Sequence, residues 1–281
     1  MRPSEAHLRA STLAIVAAVA AACGDGGGGG VDVGARDARR IYEGSFTVLE
    51  SQDHGPELCH EVAESMPPQC GGVPIEGWDW DAVADEQMVG GTTWGHWHVT
   101  GTYDGERFTL VEPPEPPQHD DEPEGRPDFS PACDEPDVVD PSHAAAEWEA
   151  MTQAKDGSEI PGLVAGWVSD PAGDWDGPFV GSVVVLPGEA PAAVALIRER
   201  YDGPLCVVER EAPTAAELTA VGDEVLDQRA RDALRPVQGV VTDERRGVVV
   251  ATVWVADDAA ESYAQRRWCD LVRLHGLLQP A

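Results

Sequence analysis

A proline-rich acidic stretch, residues 113–131, restricts the possible folds of this chain more than any other feature. It carries seven prolines in 19 residues, and most of its other residues are polar or acidic. Such a stretch cannot bury enough apolar surface to fold by itself, and its paired prolines favour a semi-rigid extended chain. We therefore expect two folded parts, residues 39–112 and residues 132–281, joined by this linker.

The first 22 residues have the composition of an export signal. Arg2 and Arg9 precede a short apolar run, residues 13–22, which ends in three alanines followed by Cys23 and a glycine run. About ten apolar residues are too few to cross a bilayer core of roughly 30 Å as a helix. The pattern therefore predicts a signal peptide, residues 1–22, rather than a transmembrane helix.

The segment Ala20-Ala21-Ala22-Cys23 resembles the cleavage box of bacterial lipoproteins. In that family the cysteine becomes the first residue of the mature chain and carries lipid. The resemblance implies a lipid on Cys23, attachment to the outer face of the cell membrane, and a flexible tether over residues 23–38. The alternative is an ordinary secretory signal, because an A-x-A triplet also suits the general signal peptidase and lipoproteins favour leucine where Ala20 stands.

The charge of the chain is strongly negative, with 51 acidic against 19 basic residues and a formal net charge of −32. Such a surface repels nucleic-acid phosphates, so we expect no nucleic-acid partner. It attracts cations and basic partners, and a cation-buffering acidic coat is one alternative function. The simpler interpretation is solubility. A hydrophobic content of 42% is enough to build folded cores.

Five cysteines follow Cys23, and disulfides form and persist outside the cytoplasm. Cys59 and Cys70 are close in sequence and flank a proline-rich loop, so we expect them to pair, with a stabilisation of roughly 3 kcal/mol. Among Cys133, Cys206 and Cys269, one is left over or pairs between molecules.

Residues 39–112 show strand patterns and turns but no helix pattern of useful length. Asp104-Gly105 predicts a two-residue hairpin turn. We expect a small all-β domain, a partly open five-strand barrel of the OB-like type. The predicted strands include residues 41–49, 56–62, 94–103 and 106–111.

Residues 132–281 predict a duplicated domain in which helix, strand, strand, helix and strand occur twice. We align Gly166 of the first copy with Gly239 of the second, and we expect one mixed sheet with helices mainly on one face. The whole chain is thus expected to be α+β. The predicted helices are residues 140–155, 190–201, 214–226 and 257–268, and the predicted strands are residues 163–169, 179–186, 205–209, 237–242, 248–255 and 271–274.

His96 and His98 are the best candidates for a metal site, because residues i and i+2 of a strand point the same way. A third ligand would be His54, His60 or an acid of residues 78–86. Structural zinc needs four ligands and no spacing fixes the others, so we interpret the pair as a polar strand face. The sequence therefore predicts no metal and no other cofactor.

Other polar groups have simpler explanations than catalysis. His119, Asp120 and Asp121 fit a solvated linker, whereas Asp170, Asp174 and Asp176 lie among Gly and Pro and fit a loop. No nucleophile motif or phosphate-binding loop is present, so no catalytic residue is predicted. Four tryptophans in the first part are expected to fill the small barrel, with binding of a glycan or a protein as the alternative: Trp78, Trp80, Trp94 and Trp97.

Several segments together resemble a group of uncharacterised secreted lipoproteins of high-GC bacteria. The resemblance covers most of the mature chain and implies disulfides Cys59–Cys70 and Cys133–Cys206, with Cys269 free. It implies no activity. The segments are Leu58-Cys59, residues 65–72 (Ser-x-Pro-Pro-Gln-Cys-Gly-Gly), Trp78, residues 99–105 (Val-Thr-Gly-Thr-Tyr-Asp-Gly), residues 131–136 and residues 203–207.

The function most consistent with these features is a non-catalytic binding or scaffolding module at the cell envelope. Its expected partners are the membrane, through the lipid on Cys23, and an envelope protein, glycan or small ligand that the sequence does not identify. The alternative is a metal-assisted hydrolase centred on His96 and His98.

Overall fold

A computed structural model describes residues 40–117, 129–137, 160–170, 179–227, 234 and 236–281, and these form an α+β structure. The strands of the first part are β1 (Ile41–Glu50), β2 (Glu57–Cys59), β3 (Val73–Glu76), β4 (Gln87–Val89), β5 (Thr92–Tyr103) and β6 (Phe108–Leu110). The elements of the second part are β7 (Leu163–Ser169), β8 (Val180–Val185), α1 (Ala190–Arg198), β9 (Leu205–Glu209), α2 (Ala215–Val225), β10 (Val237–Asp243), β11 (Val248–Val253), α3 (Asp258–Trp268), β12 (Val272–Gly276) and β13 (Gln279–Pro280).

Five strands of the first part form a closed ring of backbone pairings. The ring runs β1–β2–β3–β6–β5 and returns to β1, with every pair antiparallel except the parallel pair β3–β6. β4 adds to β5, and β13 adds to β1. The first part is therefore a small barrel that carries two short additional strands.

Alternation along β1 and β5 fills the inside of the barrel, because successive side chains of a strand point to opposite faces. Tyr42, Phe46 and Val48 of β1 are buried in its core. Gly101 of β5 provides the space for Phe108, since a Cβ at residue 101 would overlap the Phe108 ring. The core residues of β5 are Trp97, Val99 and Tyr103.

The turn between β5 and β6 differs from the predicted two-residue hairpin. Tyr103 pairs with Phe108, so the loop has four residues. The Asp104 carboxylate accepts hydrogen bonds from the backbone N–H groups of Glu106 (2.9 Å) and Arg107 (2.8 Å). These bonds satisfy the loop backbone, and they make residue 104 a loop-stabilising group rather than the first residue of a tight turn.

The second part contains two units of the same connectivity. In each unit two antiparallel strands are followed by a helix and a third strand, which lies parallel to the second. The units are β7-β8-α1-β9 and β10-β11-α3-β12. They form two separate three-stranded sheets in the described part of the chain, which corrects the single mixed sheet expected from the sequence, because strand patterns do not encode which strands pair.

Both units also carry a bulge at the start of their first strand. In the first unit Leu163 faces Val185 and Ala165 faces Val184. In the second unit Val237 faces Val253 and Gly239 faces Thr252. The structure therefore places Ala165, not Gly166, at the position equivalent to Gly239, and the predicted alignment is wrong by one residue.

α2 and α3 begin where the sequence predicts, because their N-termini carry side-chain caps. Thr214 and Glu217 form a reciprocal capping box before α2. Asp257 accepts a hydrogen bond from the Ala260 backbone N–H before α3. Glu224 of α2 accepts a hydrogen bond of 3.1 Å from the Trp268 indole of α3, which joins the two helices. Among the described residues, no helix is long and apolar enough to span a membrane.

The end of the chain returns to the barrel. Trp254, Val255 and Leu278 are buried in the barrel core together with residues of β1 and β5. The Trp254 ring lies 5.5 Å from the Phe46 ring, centroid to centroid. β13 then pairs with β1 at its start. The barrel core is therefore completed by residues from the second part of the chain.

Both ends of the predicted linker contact folded structure. Glu115 forms two backbone hydrogen bonds of 2.9 Å with His98 of β5. The Trp167 indole donates a hydrogen bond of 2.9 Å to the Ser130 carbonyl, and the Arg245 guanidinium lies 4.4 Å from the Trp167 ring. These contacts tie the linker ends to the barrel and to both units.

Disulfides join Cys59 to Cys70 and Cys133 to Cys206, as the sequence analysis expects. Cys269 is also disulfide-bonded, and no described cysteine is free. This corrects the free Cys269 that the resemblance implies. The sequence contains one further cysteine, Cys23, which lies outside the described residues.

Candidate functional site

A strip of polar side chains crosses the outer face of the barrel where β1 and β5 pair. Directly opposite residues of an antiparallel pair share one face of the sheet. The register brings Glu43 opposite Thr100, Ser45 opposite His98, and Thr47 opposite His96. We call these six residues the polar strip.

His98 is the central residue of the polar strip and is buried, with 6% of its surface exposed. Its Nδ1 lies 3.2 Å from the Ser45 hydroxyl oxygen. Its Nε2 lies 3.6 Å from a carboxylate oxygen of Glu43. A hydroxyl, an imidazole and a carboxylate are therefore lined up across two strands, which is the set of groups used in nucleophilic catalysis.

His96 is exposed, unlike His98. Its Nδ1 lies 3.4 Å from the Thr47 hydroxyl. Among the described residues, no group of three or more His, Cys, Asp or Glu side chains is placed to hold a metal ion. His54, which the sequence offers as a third ligand, instead contacts the carbonyl of Gly55 at 2.8 Å.

The tryptophans of the first part pack mainly on one another. Trp78, Trp80 and Trp97, which we call the tryptophan plug, have ring centroids 5.0 to 5.7 Å apart in edge-to-face arrangements. Trp97 is buried in the barrel, whereas Trp78 and Trp80 are half-buried against its core. The tryptophan plug thus supports the barrel core, which favours the packing role that the sequence analysis expects.

The two half-buried indoles differ in their polar contacts. The Trp80 Nε1–H donates a hydrogen bond to the Glu50 carboxylate. The Trp78 Nε1 is buried and has no hydrogen-bond partner among the described residues. Trp94, the fourth tryptophan, is half-buried opposite Leu49, on the same outer face as the polar strip.

Hydrogen bonding or burial shifts the pKa of Asp104, Glu261 and Tyr263. The backbone N–H of Glu106, with further help from Arg107, lowers the pKa of Asp104. Burial raises the pKa of Glu261. Burial, with the nearby Asp227 charge, also raises the pKa of Tyr263. None of these groups lies in the polar strip.

Several candidates from the sequence are not brought into this region or lie outside the described residues. Asp170 follows β7 in the second part of the chain. Other candidates lie outside the described residues: Cys23, His119, Asp120, Asp121, Asp174 and Asp176. The sequence does not single out Ser45 and Glu43, because only the β1–β5 register places them beside His98.

No protein-family model matches this sequence, and no curated protein matches it either.

Proposed function

We propose that this protein is exported and held by a lipid on Cys23 at the outer face of the cell membrane. There it acts as a non-catalytic binding or scaffolding module. The observation that carries the proposal is the pair of disulfides, Cys59–Cys70 and Cys133–Cys206. Disulfides form and persist outside the cytoplasm and are rare within it, which supports an extracytoplasmic location.

The architecture that we propose for the module is an OB-like barrel followed by a duplicated αββαβ part. The closed ring of five strands supports the first assignment. The shared connectivity and shared bulge of the two units support the second. α2 before β10 supplies the leading helix of the second copy, and the leading helix proposed for the first, residues 140–155, lies outside the described residues.

The anchor is tested by expressing the full chain, with its leader, in a bacterium that processes lipoproteins. Under the proposal the protein partitions with membranes, and Cys23→Ser releases it from them. Cys269→Ser is the matched control, because it also replaces one cysteine by serine but leaves Cys23 available for the lipid, so the membrane partition stays unchanged. Release of the wild-type protein into the soluble extracytoplasmic fraction contradicts the proposal.

The disulfide of Cys269 favours a second form of the same function, an exported protein without lipid. A cysteine that carries lipid through its sulfur cannot also form a disulfide. Cys23 is the one cysteine of the sequence besides Cys269 that is not in the two disulfides above. Lipidation of Cys23 therefore excludes a disulfide between Cys23 and Cys269. Peptide mapping without reduction separates the two.

The polar strip favours a second candidate function, ester or amide hydrolysis. From the sequence, the expected form of this function is a hydrolase that uses a metal held by His96 and His98. The observed contacts of His98 favour another form, in which Ser45 is the nucleophile, His98 is the base and Glu43 lies beside His98. A fluorophosphonate probe and metal analysis of the purified protein test both forms. The serine form is supported if the probe labels Ser45 and the labelling is lost in His98→Gln but kept in His96→Gln. The metal form is supported if the protein binds stoichiometric zinc and loses it in His96→Ala.

We rank hydrolysis second because the same contacts have a structural use. Ser45 and Glu43 lie on β1 and His98 on β5, so the three side chains also link the two longest strands of the barrel. A buried histidine that is hydrogen-bonded to Ser45 and lies 3.6 Å from the Glu43 carboxylate can serve such a role.

A further inference from the structure

One end of the barrel exposes large apolar side chains. Met66 is 74% exposed, Met88 is 72% exposed and Val89 is 43% exposed. Met66 lies in the loop that the Cys59–Cys70 disulfide closes, and Met88 and Val89 lie on β4. We call these three residues the methionine patch.

The two segments that carry the methionine patch meet. The ring atoms of Pro67 lie 3.9 Å from the position that a Cβ of Gly90 would take. Gly90 and Gly91 both have positive φ and connect β4 to β5 in a two-residue turn. Met66 and Val89 are thus each one residue away from this contact.

The loop around Met66 is held in place by several bonds in addition to its disulfide. Ala63 pairs with Gln69 across the loop, with a hydrogen bond of 2.9 Å. The Ser65 hydroxyl donates a hydrogen bond of 2.8 Å to the Pro67 carbonyl. An exposed apolar side chain on a preorganised loop loses less entropy on binding than one on a flexible loop.

β4 also offers backbone groups to a partner. It lies at one end of the barrel sheet, and among the described residues only β5 pairs with it. All three of its residues are exposed. An edge strand of this kind accepts an additional extended strand by main-chain hydrogen bonds.

The charge around the methionine patch selects the partner. Residues 41–106 contain thirteen Asp and Glu residues and no Lys or Arg. Glu64 and Glu86 lie two residues before Met66 and Met88, and both are exposed. This surface repels anionic lipid headgroups and acidic proteins, and it attracts positively charged ones.

We propose that the methionine patch and the outer edge of β4 bind an extended, basic protein segment that alternates apolar and positively charged residues. Met88 and Val89 are consecutive residues of β4 and point to opposite faces. The apolar side chains of the added strand lie along the Val89 face, towards Met66, because methionine adapts its flexible side chain to different partners. The positive side chains lie along the opposite face beside Glu86, with Glu64 nearby in sequence to Met66. This proposal rests on the binding function proposed above and names the chemistry of the partner.

The test measures binding of alternating valine–lysine peptides of about ten residues, long enough to span β4 in an extended form. A serine–lysine peptide keeps the charge and a valine–glutamate peptide keeps the apolar residues. Under the proposal only the valine–lysine peptide binds in fluorescence anisotropy, and β4 amides gain protection from hydrogen exchange. Equal binding of the serine–lysine peptide overturns the proposal, because charge alone then explains it.

The variant Met66→Ser/Val89→Ser locates the binding site, with Val241→Ser as its matched control. Val241 is 66% exposed and lies on β10, outside the barrel. We expect the double variant to weaken binding at least about tenfold and Val241→Ser to leave it unchanged. Equal affinities of all three proteins overturn the proposal. The lipid on Cys23 is measured separately, so failure of this proposal is distinguishable from failure of the anchor.

Discussion

Single side chains that look alike in the sequence have different roles once their contacts are known. Trp78 and Trp80 are two residues apart and pack in one cluster, yet only Trp80 donates a hydrogen bond. His96 and His98 share one strand face, yet only His98 is buried. Partners and burial, rather than residue type, therefore decide the cost of a substitution.

The tryptophan plug provides a matched pair of substitutions. Trp78→Phe and Trp80→Phe each remove an indole N–H and a similar ring area. We expect Trp80→Phe to destabilise the protein by about 1 kcal/mol more than Trp78→Phe, because only Trp80 loses a hydrogen bond. Urea unfolding followed by far-UV circular dichroism measures the difference. Equal free energies of unfolding would show that the Trp80–Glu50 contact adds nothing.

Asp104 makes part of the stability depend on pH. Its pKa is lowered in the folded protein, mainly by the Glu106 backbone N–H, so the ionised form stabilises the fold. That contribution is present above the ordinary carboxyl pKa of about 4 and is lost as pH falls through the lowered value. We expect Asp104→Asn to be less stable than wild type at pH 7, with the difference shrinking towards pH 2. A difference in melting temperature that is constant with pH contradicts this.

At the scale of elements, the core of the barrel depends on residues far away in sequence. Trp254 is buried against Phe46 and Tyr103. We expect Trp254→Ala to destabilise the protein by about 3–5 kcal/mol and to expose β1 and β5 to hydrogen exchange. Val241→Ala, at an exposed position, is the control and changes stability by less than about 0.5 kcal/mol. Unchanged protection of β1 in Trp254→Ala would mean that the barrel folds without this residue.

The two disulfides span loops of different length, with sequence separations of 11 and 73. In the chain-entropy model, the disulfide that closes the longer loop stabilises the fold more: about 4 kcal/mol for Cys133–Cys206 against about 3 kcal/mol for Cys59–Cys70. Replacement of each pair by serine, followed by thermal unfolding, compares the two. A larger loss for Cys59→Ser/Cys70→Ser than for Cys133→Ser/Cys206→Ser contradicts that ranking.

The sequence predicts local elements better than their pairing. Runs such as 163–169 and 205–209 are mostly apolar and form strands with the predicted bounds. Thr214 and Glu217 form the predicted capping box because a cap depends only on neighbours in sequence. The contacts of His98 with Ser45 and Glu43 depend on strand register, which single-chain periodicity does not encode.

At the scale of the whole molecule, the proposed role depends on where the chain is located. The disulfides are compatible with the location outside the cytoplasm that we propose. On the lipid tether that we propose, the negative surface is repelled by anionic headgroups, which favours presentation of the barrel away from the membrane. All of these arguments rest on export and on the chemistry of Cys23.

The most direct test is intact-mass and peptide-mapping mass spectrometry of the full chain, expressed with its leader in a bacterium that processes lipoproteins and analysed without reduction. The account predicts a mature chain that begins at Cys23 with a diacylglyceryl group on its sulfur, the disulfides Cys59–Cys70 and Cys133–Cys206, and no peptide that joins Cys23 to Cys269. A chain with an intact leader, or a mature chain with an unacylated Cys23 bonded to Cys269, would contradict the lipid anchor.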